Sequence, residues 1–228
     1  MAAAREGVKR AGGNQVVPRP AQVWVKPTNP WSKLDLSNLR SLDATVHRVR
    51  HFTQALAVSP PAPDARVSAV LVGLIDGEGG PEVILTRRSR LLRSHMGEIA
   101  FPGGRLDADE TPREAAMREA HEEIDLDPAR VEVIGELSAV TTNMSTSHVI
   151  PVVARVAGRP VLDVVNDEVD RVFTVPLIEL TRDDTYHEEL WGAPPNQMQM
   201  HFYDLDDETI WGATGRMLYQ LLSIAVAR

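Results

Sequence analysis

Apolar residues recur at spacings of three and four at Leu39, Leu42, Val46, Val49 and Phe52. That is the period of one helix face, and it predicts an amphipathic helix over 36–57. Pro60, Pro61 and Pro63 then break the chain into a short linker. Beyond them the pattern changes to β-branched, apolar runs. Residues 67–75 predict a buried strand, the Gly-rich stretch 76–80 a turn, and 81–86 a second strand, so the pair reads as a hairpin. A short strand is expected at 98–101, a helix at 111–123, and strands at 131–141, 148–156, 172–176 and 198–203. A helical turn is expected near 176–180. Ile210, Thr214, Met217, Leu218, Leu221 and Leu222 mark the apolar face of a closing helix over 208–227. Strands and helices mix without a βαβ rhythm, which predicts an α+β fold on a mixed sheet.

Residues 1–30 carry Gly12-Gly13, Pro18, Pro20, Pro27 and Pro30 with little periodicity. They read as a flexible or loosely packed lead. The expected organisation is therefore a lead over 1–30, a helical extension and linker over 31–63, and a main domain over 64–228.

Composition narrows the function classes. The chain has 228 residues, of which 43% are apolar, enough for a sizeable core. No run approaches the roughly 20 apolar residues of a membrane span. Arg5, Lys9 and Arg10 are not followed by an apolar run, so no secretory signal is read. Cysteine is absent, which excludes disulfides and thiolate metal sites. With no export signal, the plain expectation is a cytoplasmic protein. A net charge of −8 argues against a broad grip on nucleic acid or anionic membrane. A small anionic substrate stays open, because a local arginine cluster or a metal ion overrides the global sign.

The chemistry concentrates in 103–126. Thr111, Pro112 and Glu114 form a helix start, with Thr111 as N-cap, Pro112 in the first helical position and Glu114 completing a capping box. On that helix Glu119, Glu122 and Glu123 stand at i, i+3 and i+4, hence on one face. Three carboxylates there repel one another and sit near the helix C-terminus, where the macrodipole disfavours negative charge. A divalent cation reverses both penalties, and all-oxygen ligation suits Mg²⁺ or Mn²⁺. Arg118 stands beside them, able to orient a carboxylate. The competing reading is a solvated acidic face.

The surrounding segment shifts the balance between the two. Gly104, Glu110, Arg118, Glu119, Ala120, Glu122, Glu123 and Leu126 fit Gly-x5-Glu-x7-Arg-Glu-aliphatic-x-Glu-Glu-x-Gly-aliphatic, and the segment closely resembles the Nudix box. Asp125 stands where that box has its last glycine, a helix-end position that often needs a left-handed residue; Asp tolerates that conformation better than most. The resemblance implies a Nudix-type mixed β-sheet sandwiched between α-helices. It also implies divalent metal on Glu119, Glu122, Glu123 and the carbonyl of Gly103, with Glu110 and Arg118 in support.

Before the box, Arg87, Arg88, Arg90 and Arg93 crowd into a few residues of an acidic chain. Arginine forks match phosphate oxygens, although from composition alone an exposed basic loop or an interface salt-bridge set is the favoured reading. Thr86, Arg88, Ser89, Leu92, Arg93, His95, Gly97, Phe101 and Pro102 to Gly104 resemble the signature of the coenzyme A pyrophosphatase branch of that family. The residues 141–151 fit it less well, with Met144-Ser-Thr-Ser-His148 where the branch has glycine.

The resemblance implies metal-dependent hydrolysis of the diphosphate in coenzyme A or acyl-CoA, giving adenosine 3′,5′-bisphosphate and (acyl-)phosphopantetheine. Arg88, Ser89, Arg93 and His95 are then the substrate-binding candidates, His95 reading more simply as a structural hydrogen-bond donor. Glu122, Glu119, Arg118 and Glu168 are the catalytic ones, Glu168 weighed evenly against a surface loop acid. His121 points away from the Glu119 face. Alternatives keep the chemistry on a dNTP, ADP-ribose or a nucleotide sugar, or leave a silent nucleotide-binding domain. The N-terminal helix either covers the core or helps form a homodimer.

Overall fold

The structure, a computed structural model, describes residues 10–26, 28–54, 61–62, 64–142 and 147–227. Most of the proline linker, the end of the first helix expected at 55–57, and Met144 with its neighbours lie outside those residues.

Along the chain, β1 is Val23–Lys26 and α1 is Leu42–Thr53, preceded by a 3₁₀ turn at Ser37–Arg40. Then come β2 (Arg66–Gly77), β3 (Gly80–Arg88), β4 (Ile99–Ala100), β5 (Gly103–Arg105) and α2 (Pro112–Ile124). Next are β6 (Val131–Glu136), β7 (Val140–Thr142), β8 (Ser147–Val156) and β9 (Val169–Pro176). The chain finishes with β10 (Tyr186–Trp191), β11 (Met198–Asp204), β12 (Thr209–Ile210) and α3 (Gly212–Val226).

The main sheet is mixed, as the element pattern predicted. β2 runs parallel to β8 along Arg66–Leu74, and its other pairings are antiparallel. Its far edge is shared: β3 pairs with it beside the turn, from Leu74 to Gly77, and β5 pairs with it at Ser68–Val70. The hairpin therefore opens as a fork, and β4 and β5 carry the Gly103-Gly104 segment between its arms.

Alternation along β2 divides the two faces. Ala69, Leu71 and Ile75 face α2, packing with Ala115, Ala116, Ala120 and Ile124 and with Val152 and Ala154 of β8. Val72 and Leu74 point the other way, into a core with Leu42, Val46 and Val49 of α1 and Leu218 and Leu221 of α3. The sheet is thus sandwiched between α2 and the α1–α3 pair. A second, antiparallel sheet has the order β1-β10-β11-β12 and joins the larger core through Trp31, Tyr186 and Tyr203. Among the described residues no helix is long and apolar enough to cross a membrane.

Several expectations change. Val23–Lys26 forms a strand in the segment read as a loose lead, because Val23 to Lys26 find a partner in β10. The first helix begins at Leu42, and Leu39 is buried from the 3₁₀ turn instead. Phe52, read as part of the buried stripe, is 43% exposed. The strand expected over 131–141 is two strands, β6 and β7, and α3 starts at Gly212 because Thr209–Ile210 pairs with β11.

Candidate active site

The helix that carries the glutamates is fixed at both ends. At its start, Thr111 Oγ1 accepts from the Glu114 N–H and Glu114 Oε2 accepts from the Thr111 N–H, the reciprocal capping box. At its end Asp125 adopts the left-handed conformation (φ 55°, ψ 30°), with its N–H bonded to the carbonyls of Ala120 and His121. A non-glycine there is strained by roughly 1–2 kcal/mol. The C-terminal turn therefore forms with Asp in place of the usual glycine, and the carboxylate face is undisturbed.

That face grades from buried to exposed. Glu123 is 3% exposed, Glu119 is half-buried and Glu122 lies at the surface. Glu123 Oε2 accepts a hydrogen bond from the Gly103 N–H at 3.2 Å. Burial pushes the Glu123 carboxyl up to about 7, against the Gly103 bond and the Arg88 charge, while Glu119 and Glu168 push it further the same way. Burial also raises Glu119, which Arg118 counters and Glu122 and Glu168 reinforce. Four carboxylates thus crowd one side of the α2 C-terminal half, with the Arg88 charge facing them.

Gly103 and Gly104 make the crowding possible by lacking side chains. A Cβ on Gly103 would collide with the Ala69 carbonyl and the Val70 backbone. A Cβ on Gly104 would occupy the position of the Glu119 carboxylate. The loop between the fork arms can therefore lie flat against β2 and against the helix face.

Arg118 holds the remaining geometry. Its Nε and Nη2 donate to the two oxygens of Glu110 at 2.9 and 3.0 Å. Nη1 donates to Glu119 at 3.0 Å and to Glu122 at 3.1 Å, and Nη2 also reaches the Arg105 carbonyl. Glu110, held below the usual carboxylate range by the Arg118 bond, also accepts from the Asp107 N–H. One guanidinium therefore joins the loop before the helix to two of the face carboxylates.

The opposite wall comes from 163–169. Asp163 and Val165 donate their N–H groups to the Ile124 and Glu123 carbonyls. Asn166 Nδ2 donates to the Glu122 carbonyl, while Asn166 Oδ1 accepts from the Glu168 N–H. The Ser89 N–H donates to the Glu168 carbonyl at 2.8 Å. These bonds bring Glu168, Arg88 and the glutamate face together. Asn166 is a residue the sequence reading missed, and its one local signal is an Asx turn two residues before Glu168.

The other sequence candidates are placed differently. Ser89 is buried, and its hydroxyl accepts from the Leu91 N–H within its own turn. Arg93 and His95 lie on the exposed 90–96 loop. His95 has φ 57° and bonds Glu98 through Nδ1. Among the described residues no hydrogen bond ties Arg93 or His95 to α2. Arg87 turns to the opposite face of β3, where it pairs with Glu208. His121 is exposed, as its helical position implied.

The donor set suits a hard divalent cation: carboxylate oxygens, clustered, with two raised by burial and mutual repulsion. Among the described residues no three carboxylate or imidazole groups converge on one point. Arg118 gathers Glu119 and Glu122 on one side, whereas Glu123 turns inward to Gly103. A cleft of about 800 Å³ lies elsewhere, beside β1 and lined by Lys26, Asn29, Lys33, Asp183 and Tyr186.

Comparison with known proteins agrees with this construction. The NUDIX domain pattern matches residues 64–194. The chain is 34% identical to Nudix hydrolase 3 of Caenorhabditis elegans over 210 residues, covering 83% of this chain and 82% of that protein. It is 37% identical over 157 residues to an uncharacterized Nudix hydrolase, NudL, of Klebsiella pneumoniae (strain 342), covering 68% of this chain and 81% of that one. Among solved structures, the Nudix hydrolase RenU of M. smegmatis aligns over 50% of this chain and 73% of its own, at 26% identity and a TM-score of 0.44. The chain belongs to the Nudix hydrolase family, an enzyme of the nucleotide pyrophosphohydrolase class.

Proposed function

We propose that this enzyme hydrolyses the diphosphate linkage of coenzyme A or an acyl-CoA, using Mg²⁺ or Mn²⁺ held by Glu119, Glu122, Glu123 and the Gly103 carbonyl. The observation that carries the site is the buried Glu123 carboxylate, crowded by Glu119 and Glu168 and faced by Arg88. Such a cluster is poorly stable by itself and is relieved by a cation. When bound, the metal neutralises the diphosphate and lowers the pKa of water for in-line attack on phosphorus.

The chain's own groups do the rest. Arg88 presents its guanidinium to the diphosphate across from Glu123. Arg118, locked to Glu110, turns the Glu119 and Glu122 carboxylates to a common side. Glu122 and Glu168, both exposed, are the two candidates to take the proton from the attacking water. The water's oxygen then bonds to phosphorus as the bridging P–O bond breaks.

The coenzyme A assignment rests on the resemblance of 85–104, and the Arg88 charge acting on Glu123 supports it. A second reading keeps every step and changes the substrate to a dNTP, ADP-ribose or a nucleotide sugar. It is favoured by the exposed placement of Arg93 and His95, which leaves two of the signature residues without a link to the carboxylates. Product analysis with coenzyme A, acyl-CoAs, dNTPs and ADP-ribose, with and without Mg²⁺, separates the two. Metal-dependent release of adenosine 3′,5′-bisphosphate from coenzyme A is expected. Turnover confined to ADP-ribose or dNTPs would transfer the assignment to the second reading, and no turnover on any of them would leave the silent-domain reading.

A further inference from the structure

On the face of β3 opposite Arg88 lies a charged node that the proposed reaction does not use. Glu208, in the connection from β11 to β12, is 1% exposed. Its Oε1 accepts from Arg87 Nη1 at 3.0 Å and from Arg171 Nη1 at 2.9 Å. Its Oε2 accepts from the side-chain amide of Gln15, whose Oε1 in turn accepts from the Thr209 N–H. Arg87 and Arg171 are direct cross-strand partners on β3 and β9. Two like charges opposite one another push strands apart, and a buried carboxylate between them reverses the sign.

The location is what matters. The β3·β9 register shifts immediately after this pair, so that Arg88 faces Val169 and Asp170 is the extra residue. A bulge re-aims the side chains that follow it. Here those side chains are Arg88 on one strand and, one residue before Val169, Glu168 on the other. The Asp170 carboxylate accepts from the Arg90 N–H, and the Arg90 guanidinium reaches Asn14. The node thus joins the second sheet and residues 14–15 to the strand ends that present the site.

We propose that Glu208 is a positioning residue, a buried clamp on Arg87 and Arg171 that fixes the β3·β9 bulge and so aims Arg88 at the glutamate face. The clamp rests on the site reading given above. Glu208 touches neither substrate nor the reacting atoms.

The test is a kinetic cycle with Mg²⁺ and the substrate turned over in the panel above, on proteins shown folded by circular dichroism. Glu208→Gln keeps the shape and removes the charge; it is expected to raise KM about tenfold with kcat changed far less. In an Arg88→Ala background the same change is expected to add little to KM, because both act through one guanidinium. Should Glu208→Gln fail to fold, Arg171→Gln, which removes the charge that Glu208 holds, reads the same KM shift. A Glu208→Gln enzyme with unaltered KM, or an equal KM rise with and without Arg88, would overturn the clamp while Arg88→Ala remains impaired. Wild-type KM in Arg88→Ala would remove the site reading and the clamp together.

Discussion

The Gly103 N–H donates to Glu123 Oε2, so the loop that opens the β2–β3 fork is bonded directly to the most buried carboxylate of α2. Twenty residues separate the two in sequence, and the contact is what turns a helix face into a cleft wall. It depends on a backbone lying flat on β2, which a side chain at position 103 forbids.

Gly103→Ala is therefore expected to cost more than an exposed Gly→Ala change. The added methyl meets the Ala69 carbonyl and the Val70 backbone, neither of which can swing aside. A loss of roughly 2–4 kcal/mol is expected from chemical denaturation, in the range for overpacking and backbone strain. Wild-type stability in that variant would show that the loop can sit elsewhere.

Glu122→Gln and Glu168→Gln distinguish the two candidate bases. Both side chains are exposed, so neither change should alter the fold. Compared at saturating Mg²⁺, since Glu122 is also assigned to the metal, the one that takes the proton is expected to lose at least ~100-fold in kcat. Near-normal turnover in both variants would mean that the proton goes elsewhere.

Arg118 is joined to Glu110, Glu119 and Glu122 at once. Arg118→Lys retains a charge and loses the fork that grips both Glu110 oxygens. Metal-activation curves should shift to higher Mg²⁺ concentration, by about tenfold, while thermal stability changes little because most of these groups reach solvent. An unchanged activation curve would reduce Arg118 to a surface ion pair.

His201 sets a pH dependence of stability separate from the carboxylates. It is buried, its Nδ1 bonds the Tyr186 hydroxyl at 2.9 Å and its ring stacks on Tyr219. Burial depresses its pKa from 6.5 to about 4, with Glu188 opposing and Arg216 and Lys26 assisting. The unfolded chain therefore takes up a proton near 6.5 that the folded chain refuses until about 4. The stability from a neutral His201 is full above 6.5 and is lost progressively as pH falls to about 4. The unfolding free energy from urea titrations should fall across that window by up to ~3 kcal/mol, and His201→Gln should flatten that part of the profile. A profile unchanged by the substitution would assign the acid sensitivity to other groups.

The helix carrying the glutamates was legible because its signals are local. Thr111, Pro112, Glu114 and the spacing of Glu119, Glu122 and Glu123 all act within one element, and the left-handed Asp125 was expected from its match to the last glycine of the Nudix box. Of the second sheet, only the strand over 198–203 was legible. Its central strand, Tyr186–Trp191, carries Glu188 and Glu189, both buried, which a pattern of apolar alternation cannot expect. Those carboxylates are paired with Lys26 and Arg19 from the segment read as loose lead. Strand and lead thus explain each other through contacts some 170 residues apart. The arginine segment shows the same limit. Its composition marked four arginines, but only the strand that holds them shows their directions: alternation along β3 turns Arg88 toward Glu123 and Arg87 toward Glu208.

The account turns on whether the carboxylate face captures a divalent cation. Titrating the protein with Mn²⁺ while following the free-ion electron paramagnetic resonance signal measures this without substrate or turnover. Wild type is expected to deplete the free signal saturably, and Glu119→Gln/Glu123→Gln, with two of the crowded carboxylates neutralised, is expected to deplete little or none. Equal depletion by both proteins would contradict the assignment of those residues as the metal's ligands.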